Sequence, residues 1–377
     1  MLCGCKFEIV VLITGAFHSF GGIETFNRAL LKALDEIAAA RNLRVQVLSL
    51  LDEAKAAPAS LYVTSGRVLF RGFSGSRVQL ALSACRVARS ADIVIIGHAN
   101  LLPLVSAMNG SFKCLVAHGI EVWKEMTLLQ RLGASRVDRI LCVSGYTQRK
   151  MMRLDGMASD RFRIFPNTLD PLYAQEQHTK LCRADLGLPP GPMLLSVSRL
   201  AASERYKNIG AVIRCLPEVL RQIPEAFYVI VGDGTERKTF QEQAHSLGLD
   251  SKVILPGWVP HDLLGSYYAA CDVFVLPSTK EGFGIVFLEA MCHGKPCIGA
   301  RAGGVPEVVN DGATGVLVES PDQPHALPNA ILRLLTDAAL RLSMGKRGSE
   351  ELERNFAFPL FRDRLERILY PVSATEL

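Results

Sequence analysis

The chain has no apolar run near the roughly 18 to 20 residues that a membrane span needs; its apolar stretches, such as Ile9 to Ile13, are the length of a strand. A bilayer-spanning protein is not expected. It also lacks, at its start, the order of charged leader, long apolar stretch and small-residue cleavage site that marks export, because Met-Leu-Cys-Gly-Cys-Lys runs straight into a strand-like segment. The expectation is a cytoplasmic protein. There are ten cysteines but no Cys-x-x-Cys pair, and Cys114, Cys142, Cys215 and Cys271 sit inside apolar segments. Neither Cys3 with Cys5 nor Cys292 with Cys297 has a second half that would complete a ligand set, so buried or idle thiols are expected rather than disulfides or zinc. Acids are missing from one long window: none occurs between Glu53 and Asp92, where Lys55, Arg67, Arg71, Arg77, Arg86 and Arg89 all fall. No aromatic-rich module accompanies that charge, which argues against nucleic acid. An anionic membrane surface or a phosphate-bearing acceptor fits it, as does a plain solvated face.

What is present suits two ordinary domains: 377 residues, 49% apolar and 21% charged, are more than one core holds comfortably. Charge divides them. Residues 1–170 hold 21 cations against 13 anions, net +8, and the remainder 21 against 24, net −3. In the first half, β-branched runs at 7–13, 44–50, 92–97, 112–117, 139–143 and 162–165 read as strands. Between the first two, Ile23, Phe26, Leu30, Ala33, Leu34 and Ile37 fall on one helical face. The second half repeats the scheme with strands at 193–198, 227–231, 252–255, 273–276, 296–299 and 315–318. This alternation predicts two parallel sheets covered by helices: a domain over 1–170, a linker over 171–192 ending in Leu-Pro-Pro-Gly-Pro, a second domain over 193–355, and a helix and tail over 356–377. Open sheets of this kind take ligands at the carboxyl ends of their strands, so facing domains would share one cleft.

The stretch from Ser278 to Pro296 follows such a strand and opens a helix near Gly284. Glu281 sits in the loop, and Glu289 lies one to two turns into the helix. Gly282 and Gly284 clear side chains from the turn, so helix-start amides can meet a phosphate. Arg199 directly follows the strand at 193–198, and Lys207 lies in Tyr206-Lys207-Asn208 at the apparent start of the next helix. A fixed guanidinium and ammonium there would stabilise the charge that builds on a departing diphosphate, which leaves no need for a metal. The sequence agrees, because no Asp-x-Asp pair, the usual metal-holding motif beside such a group, occurs. In the first half, Gly21 and Gly22 allow backbone to approach a diphosphate from the other side of the cleft, and His118 ends a buried-type strand where it can hydrogen-bond a sugar hydroxyl or the reacting centre. Val231-Gly-Asp-Gly-Thr235 imitates half of a dinucleotide fingerprint, but Arg237 replaces its third glycine, and a nicotinamide enzyme is not expected.

Taken together, Gly21-Gly22, His118-Gly119, Arg199, Lys207, Gly232-Asp233-Gly234, Pro256-Gly257-Trp258-Val259, Glu281-x7-Glu289 and Gly303-Gly304-Val305-Pro306-Glu307 resemble the family-four retaining glycosyltransferases. The resemblance touches nearly the whole chain and is most specific over 278–318. It implies the GT-B fold, two facing Rossmann-like domains with the active site in the interdomain cleft. It also implies a hexosyltransferase that uses a UDP- or GDP-sugar and a saccharide or lipid-linked acceptor, with no metal or other cofactor. In that family the residues matching Arg199 and Lys207 bind the donor diphosphate, Glu289 holds the ribose, Glu281 meets the donor sugar, backbone near Val259 meets the base, and His118 lies beside the transferred sugar. Phe283, Gly284 and Ile285 belong to the same donor-binding turn. The chain departs from the pattern where Ser198 precedes Arg199 in place of the frequent glycine, and in a longer insert before Lys207. Two rivals remain at this point. A nucleotide-sugar epimerase of the same architecture would release a changed donor without any acceptor, and a silent binding subunit would leave the donor intact. A peripheral position at the inner membrane face is a further expectation, resting on the basic window.

Overall fold

The computed structural model describes residues 7–106, 108, 112–173 and 181–371. The expected start of the chain with Cys3 and Cys5, part of the expected linker (174–180) and the end of the expected tail (372–377) lie outside the described residues. The chain divides into two compact units, Met1–Pro171 with Phe356–Leu377, and Leu172–Asn355.

The first unit is built on β1 (Ile9–Ile13), α1 (Gly22–Arg41), β2 (Val45–Ser49), β3 (Val68–Gly72), α2 (Arg77–Val87), β4 (Ile93–Ile96) and α3 (Leu102–Val105), followed by β5 (Phe112–Ala117), α4 (Leu128–Ala134), β6 (Arg139–Cys142), α5 (Gly145–Asp155) and β7 (Phe162–Ile164). All its strand pairs are parallel, in the order β3-β2-β1-β4-β5-β6-β7. β1 is buried along its whole length, as a strand covered on both faces must be. α1 ends where Asn42 turns left-handed, and α4 starts on a capping box of Thr127 with Gln130. β3, absent from the sequence reading, lies inside the basic window. It is the sheet edge, with Leu69 exposed and Arg71 stacked over Phe73, so it carries no run of buried residues to betray it.

The second unit repeats the winding with β8 (Met193–Val197), α6 (Ile209–Leu220), β9 (Phe227–Val231), α7 (Arg237–Ser246), β10 (Val253–Gly257), α8 (His261–Ala270) and β11 (Val273–Leu276), then α9 (Ile285–Cys292), β12 (Cys297–Ala300), β13 (Gly315–Val318), α10 (Ala326–Thr336) and α11 (Ala338–Glu351). Its parallel sheet runs β10-β9-β8-β11-β12-β13. In both sheets the chain winds outward from a first strand and then reverses, at β1/β4 and at β8/β11. Such a switch point opens a crevice beyond the strands' carboxyl ends.

The last helix, α12 (Phe358–Leu369), returns to the first unit. Phe361, fully buried, packs edge-on against Phe26 of α1 at 5.5 Å and, tilted, against Phe165 at 4.5 Å between ring centres. Arg41 and Arg362 pin it further through Glu366 (2.6 Å) and Glu36 (3.1 Å). The thiols of Cys114, Cys215 and Cys271 are pushed up to about 12 by burial, which keeps them protonated and unreactive. Among the described residues no helix is long and apolar enough to cross a membrane.

Candidate active site

Arg199 follows β8, and Lys207 closes a short 3-10 stretch, Ala202–Lys207, just before α6. The two flank a carboxylate that the sequence reading missed. Glu204 is buried and forms ion pairs with the Arg199 guanidinium and, at 2.7 Å, with the Lys207 ammonium. The Arg199 side chain is 64% exposed and the Lys207 side chain only 16%, so one cation reaches into solvent while the other is held deep. Nothing in a glutamate between Ala201-Ala202-Ser203 and Arg205-Tyr206-Lys207 marks it as a bridge; only the folded loop brings it to both partners.

The loop after β11 is tied to the same place. Thr279 donates its amide to the Tyr206 carbonyl at 2.8 Å, and the Asn208 side chain donates to the carbonyls of both Tyr206 and Pro277 at 2.9 Å. Lys207 is thereby fixed beside the segment that carries Glu281. Burial pushes the Glu281 carboxyl up, and Lys207 is the strongest influence holding it down, with Arg199 acting in the same direction. Tyr206 is pushed up as well, by burial and then by Glu204 and Glu281. These shifts describe one electrostatic cluster, Arg199, Glu204, Tyr206, Lys207 and Glu281, on the carboxyl side of β8 and β11, the switch-point strands.

Glycines set that loop's course. Gly303, at φ +60°, lies so close that a Cβ there would stand 2.4 Å from the Glu281 carbonyl oxygen, and one on Gly304 would stand 2.3 Å from that of Gly282. The Gly304 amide donates to the Glu281 carbonyl at 2.7 Å. Gly232 plays the same part beneath Arg199: a Cβ there would meet the Ser198 carbonyl oxygen at 1.8 Å. The Gly-Asp-Gly segment is therefore a packing device, and its Asp233 carbonyl accepts the Leu200 amide at 2.9 Å. Phe283 and Ile285 are buried, so the turn before α9 offers main chain rather than side chains to a ligand. Gly284 caps α9 in the left-handed region, and Glu289 lies within that helix. The Tyr268 hydroxyl donates to Glu289 at 2.6 Å, and its ring stacks on His293, partners that no motif in the sequence pairs. Val259 stands two residues beyond β10, next to the exposed Trp258. A hollow of about 310 Å³ is lined by Arg199, Glu204, Lys207 and Arg214 on the α6 side; neither Glu281 nor Glu289 lines it.

In the first unit Gly21 and Gly22 cap and begin α1. The preceding loop is held by buried Asp52, which accepts the amides of Ala16 and Phe17 at 2.8 Å each. Buried Arg28 donates to the Ala16 carbonyl at 3.0 Å and to Asp170 at 2.5 Å. His118 follows β5 and its Nε2–H donates to the Gly97 carbonyl at 2.8 Å. Because a carbonyl can only accept, that nitrogen carries the proton and Nδ1 is left as an acceptor. Burial pushes His118 down to about 4, so it is neutral at physiological pH. His98, after β4, is also pushed to about 4 by burial and by His118, and its Nδ1 accepts the Asn100 amide at 3.0 Å. His118 can therefore receive a hydroxyl proton's hydrogen bond at Nδ1; it is not a cationic group.

Glycosyltransferase Family 4 matches residues 20–171, and Glycosyl transferases group 1 matches 183–351. The chain is 31% identical over 265 residues to the GDP-mannose-dependent alpha-(1-6)-phosphatidylinositol monomannoside mannosyltransferase of Mycolicibacterium smegmatis, covering 67% of this chain and 68% of that one. It belongs to the family-four glycosyltransferases. A second relative, the N-acetyl-alpha-D-glucosaminyl L-malate synthase of Bacillus anthracis, is 29% identical over 244 residues, 65% of this chain and 62% of its own length. Among solved structures, Anabaena HepE in complex with UDP superposes with a TM-score of 0.76 at 20% identity, over 97% of this glycosyltransferase and all of HepE. Sucrose-phosphate synthase from Thermosynechococcus elongatus gives 0.75 at 20%, over 96% and 98%. The fold is GT-B: two Rossmann-like parallel sheets with helices between their strands.

Proposed function

We propose that this glycosyltransferase retains anomeric configuration and works without a metal, moving a hexose from a UDP- or GDP-sugar to a saccharide or lipid-linked acceptor. The observation that carries the reading is the cluster in which one buried carboxylate, Glu204, sets Arg199 and Lys207 together beside Glu281. Two fixed cations at the carboxyl edge of a switch point suit a diphosphate, and the α9 start, bare of side chains, suits it further. As the bond from the anomeric carbon to the phosphate oxygen breaks, charge builds on the leaving nucleoside diphosphate, and Arg199 and Lys207 stabilise it. The acceptor oxygen bonds to that carbon on the same face, and its proton passes to a phosphate oxygen, so no protein base is required. Glu281 holds the sugar hydroxyls, Glu289 the ribose, and main chain at Val259 and around Phe283–Ile285 the rest of the donor. Gly21, Gly22 and the neutral His118 serve the transferred group from the first unit's crevice.

The names of relatives give the reading its substrate classes: the mycolicibacterial protein is called GDP-mannose-dependent and its acceptor is a phosphatidylinositol mannoside, and HepE was solved with UDP. Arg199→Ala, Lys207→Ala and Glu281→Ala should each cut turnover by about two orders of magnitude, the usual loss for one transition-state contact. Turnover should survive a chelator, and the product's anomeric coupling constant should match the donor's. Near-normal rates in all three variants, or an inverted product, would end the proposal.

A further inference from the structure

The first unit carries a second basic hollow, about 450 Å³ in volume, walled by Arg139, Arg163, Arg364 and Arg367 with an apolar margin that includes Phe112, Ile164 and Ile368. It lies away from the crevice. Phe112 and Arg139 are the first residues of β5 and β6, so the hollow sits at the amino ends of those strands, whereas His118 follows the carboxyl end of β5.

The sheet explains how arginines come to lie there. Strand neighbours alternate between faces, and Ile140 and Phe162 belong to the core on the side of α2, α3, α4 and α5. Arg139 and Arg163 therefore point to the opposite side, where α12 presents Arg364 and Arg367 one turn apart. Positions that face a covering helix ordinarily carry apolar groups; here they carry guanidinium. Arg139, Arg163 and Arg367 make no ion pair among the described residues and donate instead to main-chain carbonyls, of Asp138, of Asp160 and Phe162, and of Asp363. Two carboxylates of α12 are engaged elsewhere: Glu366 holds Arg41, and Asp363 holds Arg362. Burial and then the Arg367 charge push Arg364 down. The α12 dipole accounts for Arg367 in the last turn but not for two strand arginines.

We propose that this hollow binds a phosphate group carried by a lipid, with guanidinium forks on the phosphate oxygens and the attached chain against Phe112, Ile164 and Ile368. The site would tether the first unit to a membrane surface independently of the sugar-transfer chemistry.

Sedimentation of the full chain with phosphatidylcholine vesicles, with and without phosphatidate, tests it. Phosphatidate should bring the protein down, and the double variant Arg163→Gln with Arg367→Gln should weaken that binding at least about tenfold. Both side chains are exposed, so the fold should persist, and transfer to a soluble acceptor should be unchanged. Removing the same charge from the basic window, by Lys55→Gln with Arg71→Gln, should change vesicle binding less than about twofold. Equal losses from the two pairs would make net charge the cause and overturn the proposal. So would binding of inorganic phosphate at the hollow with no phosphatidate-dependent sedimentation.

Discussion

Glu204 is the residue on which the donor side of the site turns. Lys207 is held deep enough that, without this carboxylate, its ammonium would sit half-desolvated beside Arg199. Glu204→Gln should therefore lower stability by on the order of 2 kcal/mol, less than the ~3–5 of a wholly buried pair because Arg199 reaches solvent. It should also raise the donor KM, since both cations lose their common anchor; thermal melts and steady-state kinetics read the two effects separately. Glu281 makes the opposite case. Its carboxyl is pushed up by burial despite Lys207, so ionisation costs the unliganded protein stability. Glu281→Gln should raise the melting temperature of the free protein while turnover falls, and a variant that loses both would show that the carboxylate is structural.

The two imidazoles of the first unit give a pH dependence whose sign is fixed. His98 and His118 lie near 4 when folded and at 6.5 when unfolded. Between those values the unfolded chain binds more protons, so stability is complete above about pH 6.5 and falls as pH drops toward 4, by on the order of 3 kcal/mol for one imidazole. Denaturant midpoints measured across that window should show the slope, and His118→Gln should flatten it.

At the scale of elements, the glycine segment before β13 and the loop after β11 are one unit. The sequence shows the glycines at 303 and 304 but cannot show what they touch, because the contact is 21 to 23 residues away along the chain and is made by backbone. Gly303→Ala meets both a left-handed φ and the Glu281 carbonyl, and should cost on the order of 2 kcal/mol and disturb turnover, although it alters no site side chain. The strands that read clearly are the fully buried ones, such as β1 and β9, whose apolar runs need no partner to be recognised. β3 stayed hidden because an exposed edge strand alternates weakly. The destination of α12 was equally illegible, since an amphipathic helix declares a buried face without naming what buries it. Phe361→Ala should cost about 3–5 kcal/mol, chiefly in the first unit where Phe26 and Phe165 would lose their neighbour.

Over the whole molecule, the sequence exposed the two-fold repetition of sheets because the same alternation of strand and helix occurs twice, and it marked Arg199, Lys207, Glu281 and Glu289 as candidates because each follows a strand. It did not expose Glu204, Tyr268, His98 or Asp52, which work through partners 3 to 36 residues away that only folding supplies. Charge asymmetry was visible as a number, yet the folded first unit concentrates arginines at the amino ends of β5 and β6, outside the acid-free window.

The central claim is that Arg199 and Lys207 hold a nucleotide's diphosphate, and calorimetric titration of the protein with a nucleoside and its diphosphate, uridine with UDP and guanosine with GDP, tests it most directly. The wild-type chain should bind one diphosphate at least about a hundredfold more tightly than its nucleoside, a difference of roughly 2.7 kcal/mol, and Arg199→Ala or Lys207→Ala should erase most of that difference while leaving nucleoside affinity alone. Equal preference for the diphosphate in the wild type and in both variants would contradict the account.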